Sequence, residues 1–273
     1  MKKFDFIKMH GLGNDFVIID ERIDVTNLSY EEIKSVANRY TGIGCDQLIT
    51  INNSDSGDYL FIRFFNSTGD EVSACGNGSR CVARILMQEN NTSEITLKTK
   101  AGFLECKKIS DDIISIDLGK PKLQWQDIPL DKEYDSNIVT FKINNISISN
   151  PSFINVGNPH AIFFVNNLND YKIEDYGPLI ETDKMFPEKC NITIAEVVSS
   201  SHIKINVWER GAGKTLACGT AACATVVAAN IKKLTDKIVK VSLPGGDLDI
   251  DYNDNIIMSG ATEISFSSSF EIK

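Results

Sequence analysis

The chain has 273 residues, of which 42% are hydrophobic and 24% charged, an ordinary composition for a protein with well-packed cores. Its net charge of -9 occurs without long blocks of like charge, which disfavours nucleic acid and anionic membranes as partners and favours a small molecule. No apolar run could span a bilayer and residues 1–10 lack a signal-peptide core, so we expect a cytoplasmic protein whose seven cysteines stay reduced.

Strands and one surface helix are predicted along the first half of the chain. Residues 30–39 form the surface helix, because residues 27–29 offer N-cap side chains and Glu31 and Glu32 lie in its first turn. A second helix is expected to begin at the Ala-Cys-Gly sequence of residues 74–76. Segments rich in β-branched and aromatic residues predict strands at 16–20, 59–65, 95–100, 103–109 and 114–118.

The second half repeats this plan. Residues 220–231 follow another Ala-Cys-Gly sequence and form a helix that is apolar on every face, so a surrounding sheet has to enclose it. A closing strand at 263–266 is expected to return to the first half. The remaining predicted strands are 161–165, 192–198, 203–208, 239–243 and 256–259.

Four pairs of residues recur in the same order at a nearly constant separation, which indicates a duplicated domain. The Ala-Cys-Gly sequences at 74–76 and 217–219 are identical. The pairs are Asn14 with Asn158, Gln47 with Asn191, Asn66 with Glu209, and Cys75 with Cys218.

The predicted fold class is therefore α+β, with two similar pseudo-twofold-related domains, each a strand-rich barrel-like sheet wrapped around a central apolar helix. Gly119-Lys120-Pro121 is a natural hinge, because Gly and Pro punctuate regular structure. We predict a first domain at 1–118 with a return strand at 263–273, and a second domain at 119–262.

Cys75 and Cys218 are the candidate catalytic residues. Each follows a Gly-containing polar turn and precedes an apolar helix, where unpaired N–H groups and the helix dipole lower a thiol pKa. The N–H groups of the next two residues can hold a carboxylate and stabilise developing negative charge. These residues are Gly76, Asn77, Gly219 and Thr220.

Two thiols on opposite sides of a carbon can invert its configuration. One thiolate removes the α-proton, and the opposite thiol delivers a proton to the other face, with the roles exchanged in reverse. This chemistry requires no cofactor and no metal. The other five cysteines lack matched helix starts and are interpreted as packing residues.

Other interpretations remain open at this point. A further cofactor-free amino-acid racemase would share the paired cysteines. A thiol redox or metal-binding protein is disfavoured because neither Cys75 with Cys81 nor Cys218 with Cys223 has C-x-x-C spacing. A noncatalytic amino-acid-binding protein would leave the paired thiols unexplained, and plain packing would leave their matched contexts unexplained.

The motifs together resemble the diaminopimelate epimerase family. They are Gly-Asn-Asp at 13–15, Phe-Asn at 65–66, Ala-Cys-Gly-Asn-Gly-Ser-Arg-Cys at 74–81, Gly-Asn-Pro-His at 157–160, Trp-Glu-Arg-Gly-Ala-Gly at 208–213 and Ala-Cys-Gly-Thr at 217–220. The resemblance implies interconversion of LL- and meso-2,6-diaminopimelate for lysine and peptidoglycan synthesis, without pyridoxal phosphate or metal. It also implies two similar domains, each wrapped around a helix, and leaves monomer and homodimer open.

The resemblance also implies roles for individual residues. Cys75 deprotonates the LL substrate and Cys218 reprotonates it, while Gly76, Asn77, Gly219 and Thr220 hold the reacting carboxylate. Gln47 and His160 line the pocket, and we hypothesise that His160 and Glu209 help to set thiol protonation. The unreactive end of the substrate is bound by Asn14, Asn66, Asn158, Asn191 and Arg210, with Glu209 as a further ammonium ligand.

The chain departs from the family pattern at two positions. Ala221 stands where glycine is common, and Ser79 stands where alanine is frequent. Neither change removes a proton carrier, but Ala221 is expected to crowd the start of the second helix. Arg80, Arg84 and Lys214 are interpreted as surface or structural charges.

Overall fold

The computed structural model describes residues 2–54, 57–143 and 146–272. The first elements are β1 (Lys2–Gly11), β2 (Asn14–Asp20), α1 (Tyr30–Ala37), β3 (Gln47–Asn53), β4 (Leu60–Asn66), β5 (Glu71–Val72), α2 (Gly76–Asn90), β6 (Glu94–Thr99), β7 (Gly102–Lys108) and β8 (Ile113–Asp117). Next come β9 (Thr140–Ile143), β10 (Ile146–Ser149), β11 (Ser152–Asn155), β12 (Pro159–Val165), α3 (Ile173–Glu181), β13 (Asn191–Ser199) and β14 (His202–Glu209). The last are β15 (Gly213–Lys214), α4 (Gly219–Ile231), β16 (Ile238–Leu243), β17 (Gly246–Tyr252), β18 (Ile256–Ala261) and β19 (Glu263–Ile272).

The chain forms two compact units, Met1–Asp117 with Ser259–Lys273, and Leu118–Met258. In the first unit, β1 pairs antiparallel with β19 and β2, β2 pairs parallel with β3, and β3 pairs antiparallel with β4. The sheet continues with β4 parallel to β6, then antiparallel pairs of β6 with β7 and β7 with β8. Helix α2 packs against strands along this sheet, including β1, β6 and β8.

The second unit repeats the same order of parallel and antiparallel pairs. Strand β11 is antiparallel to β12, β12 parallel to β13, β13 antiparallel to β14, β14 parallel to β16, and β16 antiparallel to β17. Helix α4 packs against strands of this sheet, including β11, β12 and β17. The predicted α+β class, a strand-rich sheet around a central helix, is confirmed.

Local sequence explains how the helices begin. Ser29 caps α1, and Ser29 and Glu32 form a reciprocal capping box, as predicted from the residues before the helix. Cys75 and Cys218 are the N-cap residues of α2 and α4, both in extended backbone conformation. All but three residues of α4 are buried, in agreement with its uniformly apolar sequence.

Helix α3 was not predicted. Glu174 and Asp175 lie in its first turn, but Lys172 supplies no capping side chain and Pro178 lies inside the helix, so the sequence signals conflict. Its buried side chains Ile173, Tyr176 and Ile180 join the hydrophobic core of the second unit. Along the described parts of the chain, every helix is too short or too polar to cross a membrane.

Candidate active site

In the first unit, Cys75 lies at the exact start of the central helix. Its Sγ accepts a hydrogen bond from the N–H of Gly78 at 3.4 Å, and its side chain is half-buried. The first intrahelical bond joins the N–H of Ser79 to the carbonyl of Cys75. The amides of Gly76 and Asn77 therefore precede the helical ladder and are the groups that can bind an anion.

Asn14 and Asn77 adjoin the Cys75 thiol. Asn14 Oδ1 lies 3.9 Å from Cys75 Sγ and accepts a hydrogen bond from Asn77 Nδ2 at 3.3 Å. Asn77 Oδ1 in turn accepts from Arg80 Nη2 at 3.0 Å. Arg80 is fully buried, so of the two roles predicted for it, surface or structural charge, the structural one applies. It is a structural cation, and it orients one of the predicted site residues.

Gln47 and Asn66 are brought together by the register of β3 and β4, in which they are direct partners. Gln47 Nε2 donates to Asn66 Oδ1 at 3.0 Å. Gln47 Oε1 is buried and has no hydrogen-bond partner in the part of the chain that the structure describes. A buried amide oxygen in this state is suited to accept a proton from a substrate ammonium group.

A charged network behind Asn14 was missed by the sequence analysis. Asp46 Oδ2 accepts from Asn14 Nδ2 at 2.9 Å, and Arg39 Nη2 bridges Asp46 and Asp15 with distances of 2.7 and 2.6 Å. Lys8 Nζ also contacts Asp15 at 2.6 Å. Burial acts to raise the pKa of Asp15, but hydrogen bonds and charge from Arg39 and Lys8 outweigh it and lower that pKa to about 2.

In the second unit, Cys218 begins the central helix at the equivalent place. The thiol is only 5% exposed, and its Sγ lies 3.4 Å from Thr220 Oγ1. Burial raises the pKa of Cys218 well above its usual value, and the negative charge of Glu209 raises it further. The Thr220 hydroxyl and the Ala221 amide act in the opposite direction without compensating. The prediction that the helix start lowers this thiol pKa is therefore wrong for Cys218.

His160 and Asn158 form a buried polar pair, with His160 Nε2 and Asn158 Oδ1 2.8 Å apart. Burial, together with the charge of Arg210, lowers the pKa of His160 to about 3. The imidazole is therefore neutral, and Nε2 must carry the proton that Asn158 Oδ1 accepts. His160 Nδ1 is a buried acceptor without a partner among residues 2–54, 57–143 and 146–272.

Asn191 and Arg210 are joined through the backbone. Asn191 Oδ1 accepts from the N–H of Arg210 at 3.0 Å, while Asn191 Nδ2 donates to the carbonyl of Pro159 at 2.8 Å. The Asn191 amide thus holds the turn that carries Arg210. The Arg210 side chain is exposed and donates through Nη1 to the carbonyl of Glu188 at 3.2 Å. A guanidinium group has the donor geometry that can bind a carboxylate.

The predicted site residues divide between the two units: those up to Asn77 lie in the first unit with Cys75, and those from Asn158 onward lie in the second unit with Cys218. Gly219 and Thr220 open α4 as Gly76 and Asn77 open α2, and the first bond of α4 joins the N–H of Ala222 to the carbonyl of Cys218. The other five cysteines, 45, 81, 106, 190 and 223, are buried thiols. Burial raises the pKa of Cys45, Cys81 and Cys106 to about 12, as suits packing residues.

Solved structures share this fold. A phenazine biosynthesis protein of the PhzF family from Bacillus anthracis is 17% identical with a TM-score of 0.73, over 100% of both chains. A predicted epimerase from Pseudomonas aeruginosa is 12% identical with a TM-score of 0.70, over 99% of this chain and 100% of that one. A probable proline racemase from Agrobacterium radiobacter K84 is 11% identical with a TM-score of 0.70, over 99% and 93%. The chain therefore has the fold shared by these epimerase-like and racemase-like proteins. In this chain, a thiol caps the central helix of each unit.

Sequence comparison narrows the class. The family model for diaminopimelate epimerase matches residues 6–124 and 152–264. Proteins named diaminopimelate epimerase are 43% identical in Afipia carboxidovorans, over 97% of this chain and 94% of the relative, and 46% identical in Pelagibacter ubique, over 93% of both. The chain belongs to the diaminopimelate epimerase family, whose members are isomerases.

Proposed function

We propose that this protein converts LL-2,6-diaminopimelate into the meso isomer, with Cys75 and Cys218 as the paired base and acid. The observation that carries the proposal is the equivalent position of the two thiols, each the N-cap of the central helix in its unit. Relatives that are 43% and 46% identical and are named diaminopimelate epimerase support the substrate. The proposed pathway is the synthesis of lysine and peptidoglycan precursors, in the cytoplasm, by a monomer or homodimer.

In the forward direction, the Cys75 thiolate takes the α-proton and the C–H electron pair moves toward the adjacent carboxylate. The amides of Gly76, Asn77, Gly219 and Thr220 hold that carboxylate and stabilise the charge that develops on it. The Cys218 thiol then gives its proton to the opposite face of the carbon. The reaction leaves Cys75 protonated and Cys218 as the thiolate, so the same site is ready for the reverse reaction.

The raised pKa of Cys218 fits the role of acid. A thiol whose pKa lies well above its ordinary value keeps its proton at neutral pH until a strongly basic carbanion accepts it. Glu209 contributes to this state through its negative charge. His160, with its pKa lowered to about 3, stays neutral and serves as a hydrogen-bonding residue in the proposed mechanism.

The unreactive end of the substrate carries a carboxylate and an ammonium group, which need opposite kinds of ligands. We assign the carboxylate to Arg210, whose guanidinium can bind it with two parallel hydrogen bonds. The ammonium group is assigned to amide oxygens, among which the buried Gln47 Oε1 is available. Asn14, Asn66, Asn158 and Asn191 complete this part of the proposed site.

The decisive experiment is incubation of the reduced protein with LL-diaminopimelate in D2O, followed by separation of stereoisomers and measurement of deuterium content. Meso product with one solvent deuteron is expected from the wild type, and Cys75→Ala and Cys218→Ala are each expected to lose epimerisation. Cys106→Ala is the matched control, because it removes a buried thiol from the middle of β7. Inversion of proline with diaminopimelate untouched would instead favour another amino-acid racemase.

A further inference from the structure

The buried carboxylate of Glu181 lies at the end of α3 and receives two hydrogen bonds from one turn of the chain. Trp208 Nε1 donates to Glu181 Oε2 at 2.8 Å, and the N–H of Gly211 donates to Glu181 Oε1 at 2.9 Å. Glu181 is 6% exposed, and Lys189 Nζ lies 3.8 Å from Oε1. Each carboxylate oxygen therefore has its own N–H donor, with a cation at longer range.

The two donors flank two residues of the site. Trp208 and Gly211 stand immediately before and after the dipeptide Glu209-Arg210, so a single carboxylate holds both ends of this four-residue segment. From the other side, Asn191 Oδ1 holds the N–H of Arg210 at 3.0 Å. We propose that Glu181 is a positioning residue that sets where Glu209 and Arg210 stand in the site. The consequence for catalysis rests on the proposed function.

The packing of the Trp208 ring supports a fixed geometry. A Cβ atom on Gly177, four residues before Glu181 on α3, would lie only 2.2 Å from Trp208 Cγ. The indole therefore lies directly on the helix backbone, where only glycine fits, and its N–H is aimed at the carboxylate one turn further along. This contact and the Glu181 hydrogen bonds together determine how β14 ends at Glu209.

A carboxylate suits this position better than any neutral side chain. Both of its oxygens accept hydrogen bonds, whereas a glutamine has one oxygen and one NH2 group. In Glu181→Gln, that NH2 group has to face either the indole N–H or the Gly211 N–H, so one of the two donors loses its partner. The change preserves the size and shape of the side chain, so its effect reports the loss of one of the two hydrogen bonds.

The expected kinetic signature is a rise in KM that exceeds any fall in kcat, because Arg210 is assigned to the unreactive end of the substrate. Displacing a binding residue by about 1 Å can cost up to about 100-fold, so we expect a KM for LL-diaminopimelate about 10-fold higher in Glu181→Gln. A merely structural role would reduce the amount of folded enzyme and leave KM unchanged. Glu174→Gln is the matched control, because Glu174 lies on the same helix and forms an exposed ion pair with Lys214 at 2.6 Å.

Two further measurements do not depend on activity. The chain has two tryptophans, so a Trp125→Phe background reports Trp208 fluorescence alone. Glu181→Gln is expected to shift that emission and to speed amide hydrogen exchange in residues 207–212, while Glu174→Gln changes neither.

The outcomes separate the two claims. If the wild type leaves LL-diaminopimelate untouched, the proposed function fails. Trp208 fluorescence and amide hydrogen exchange still show whether Glu181 fixes residues 208–211. The positioning role is refuted if the wild type is active but folded Glu181→Gln has the same KM, Trp208 emission and amide hydrogen exchange as Glu174→Gln.

Discussion

Asp46 Oδ2 accepts a hydrogen bond from Asn14 Nδ2 at 2.9 Å and thereby turns Asn14 Oδ1 toward Cys75, whose Sγ lies 3.9 Å away. Without Asp46, the two ends of the Asn14 amide could exchange positions and present an NH2 group to the thiol. Asp46 is itself held in place by Arg39, whose Nη2 contacts Asp46 Oδ1 at 2.7 Å. An exposed ion pair thus orders a residue beside the proposed catalytic base.

We therefore expect Asp46→Ala to lower kcat for epimerisation about 10-fold, because Asn14 would be misoriented beside the proposed catalytic thiol. Asp20→Ala is the control, because it removes an acidic residue from the exposed pair with Arg22 while leaving Asn14 untouched. Steady-state rates with LL-diaminopimelate would test the difference. Equal rates in the two variants would show that Asn14 needs no orientation by Asp46.

These partners show where sequence analysis stops. Both thiols could be predicted because the same Ala-Cys-Gly sequence occurs in each half of the chain. Asp46 and Glu181 lie in no recognisable motif. Each contacts a residue about 30 positions away, and these contacts exist only after the sheets have formed. The pKa of Cys218 was wrongly predicted for the same reason, because the dipole at a helix start can be inferred from sequence while complete burial cannot.

Secondary structure that depends on local composition was predicted, whereas secondary structure that depends on packing was missed. Strands β4, β7 and β13 were predicted within about two residues at each end, because their β-branched and aromatic composition is local. Helix α3 was missed because its stability comes from packing: Gly177 and Pro178 have poor helix propensity, and Gly177 is required by the Trp208 ring. Strand β1 was missed because Lys2, Lys3 and Lys8 interrupt its apolar residues.

The raised pKa of Cys218 predicts slow alkylation. At pH 7 the reactive thiolate is scarce, so iodoacetamide should modify Cys218 slowly and faster as the pH rises above about 9. Because the charge of Glu209 helps to raise this pKa, Glu209→Gln should lower it and increase the alkylation rate at pH 8. Peptide mass spectrometry after timed quenching would measure both rates. An unchanged rate in the folded variant would contradict the electrostatic role of Glu209.

The same shift affects stability at high pH. The folded state binds the Cys218 proton more tightly than the unfolded chain does, so this contribution is fully present below the unfolded thiol pKa. It is lost as the pH rises through the folded pKa. We expect the wild type to lose stability between pH 8 and 11 more steeply than Cys218→Ala, as measured by urea denaturation across that range. Parallel pH profiles would contradict the assignment.

Asp15 gives the opposite dependence. Its pKa is lowered from 3.8 to about 2, so its contribution to stability is present above about pH 4 and is lost as the pH falls through 2. Removing the charge in Asp15→Asn should cost about 2 kcal/mol at pH 7, because hydrogen bonds from Arg39 and Lys8 lose a charged acceptor. The difference from the wild type should narrow between pH 4 and pH 2. A constant difference in urea denaturation would show that the charge is not responsible.

The third residues of the two central helices, Gly78 and Ala221, should tolerate exchange unequally. A Cβ on Gly78 would lie 2.7 Å from Ile49 Cδ1 and 3.1 Å from Phe64 Cε1, so Gly78→Ala forces these core side chains to move. We expect it to destabilise the protein by about 1–3 kcal/mol, the usual cost of overpacking. Ala221 is fully buried, and Ala221→Gly restores the residue common in the family at a cost of about 1 kcal/mol in helix propensity.

Chemical denaturation of both variants would measure this asymmetry, and the kinetics of Ala221→Gly would test whether Ala221 crowds carboxylate binding at the start of α4. If crowding matters, the glycine variant should lower KM for diaminopimelate in spite of its reduced stability, because the amides of Gly219 and Thr220 would become more accessible. An unchanged KM would mean that the alanine methyl group packs away from the substrate. The departure from the family pattern would then be a packing difference without effect on binding.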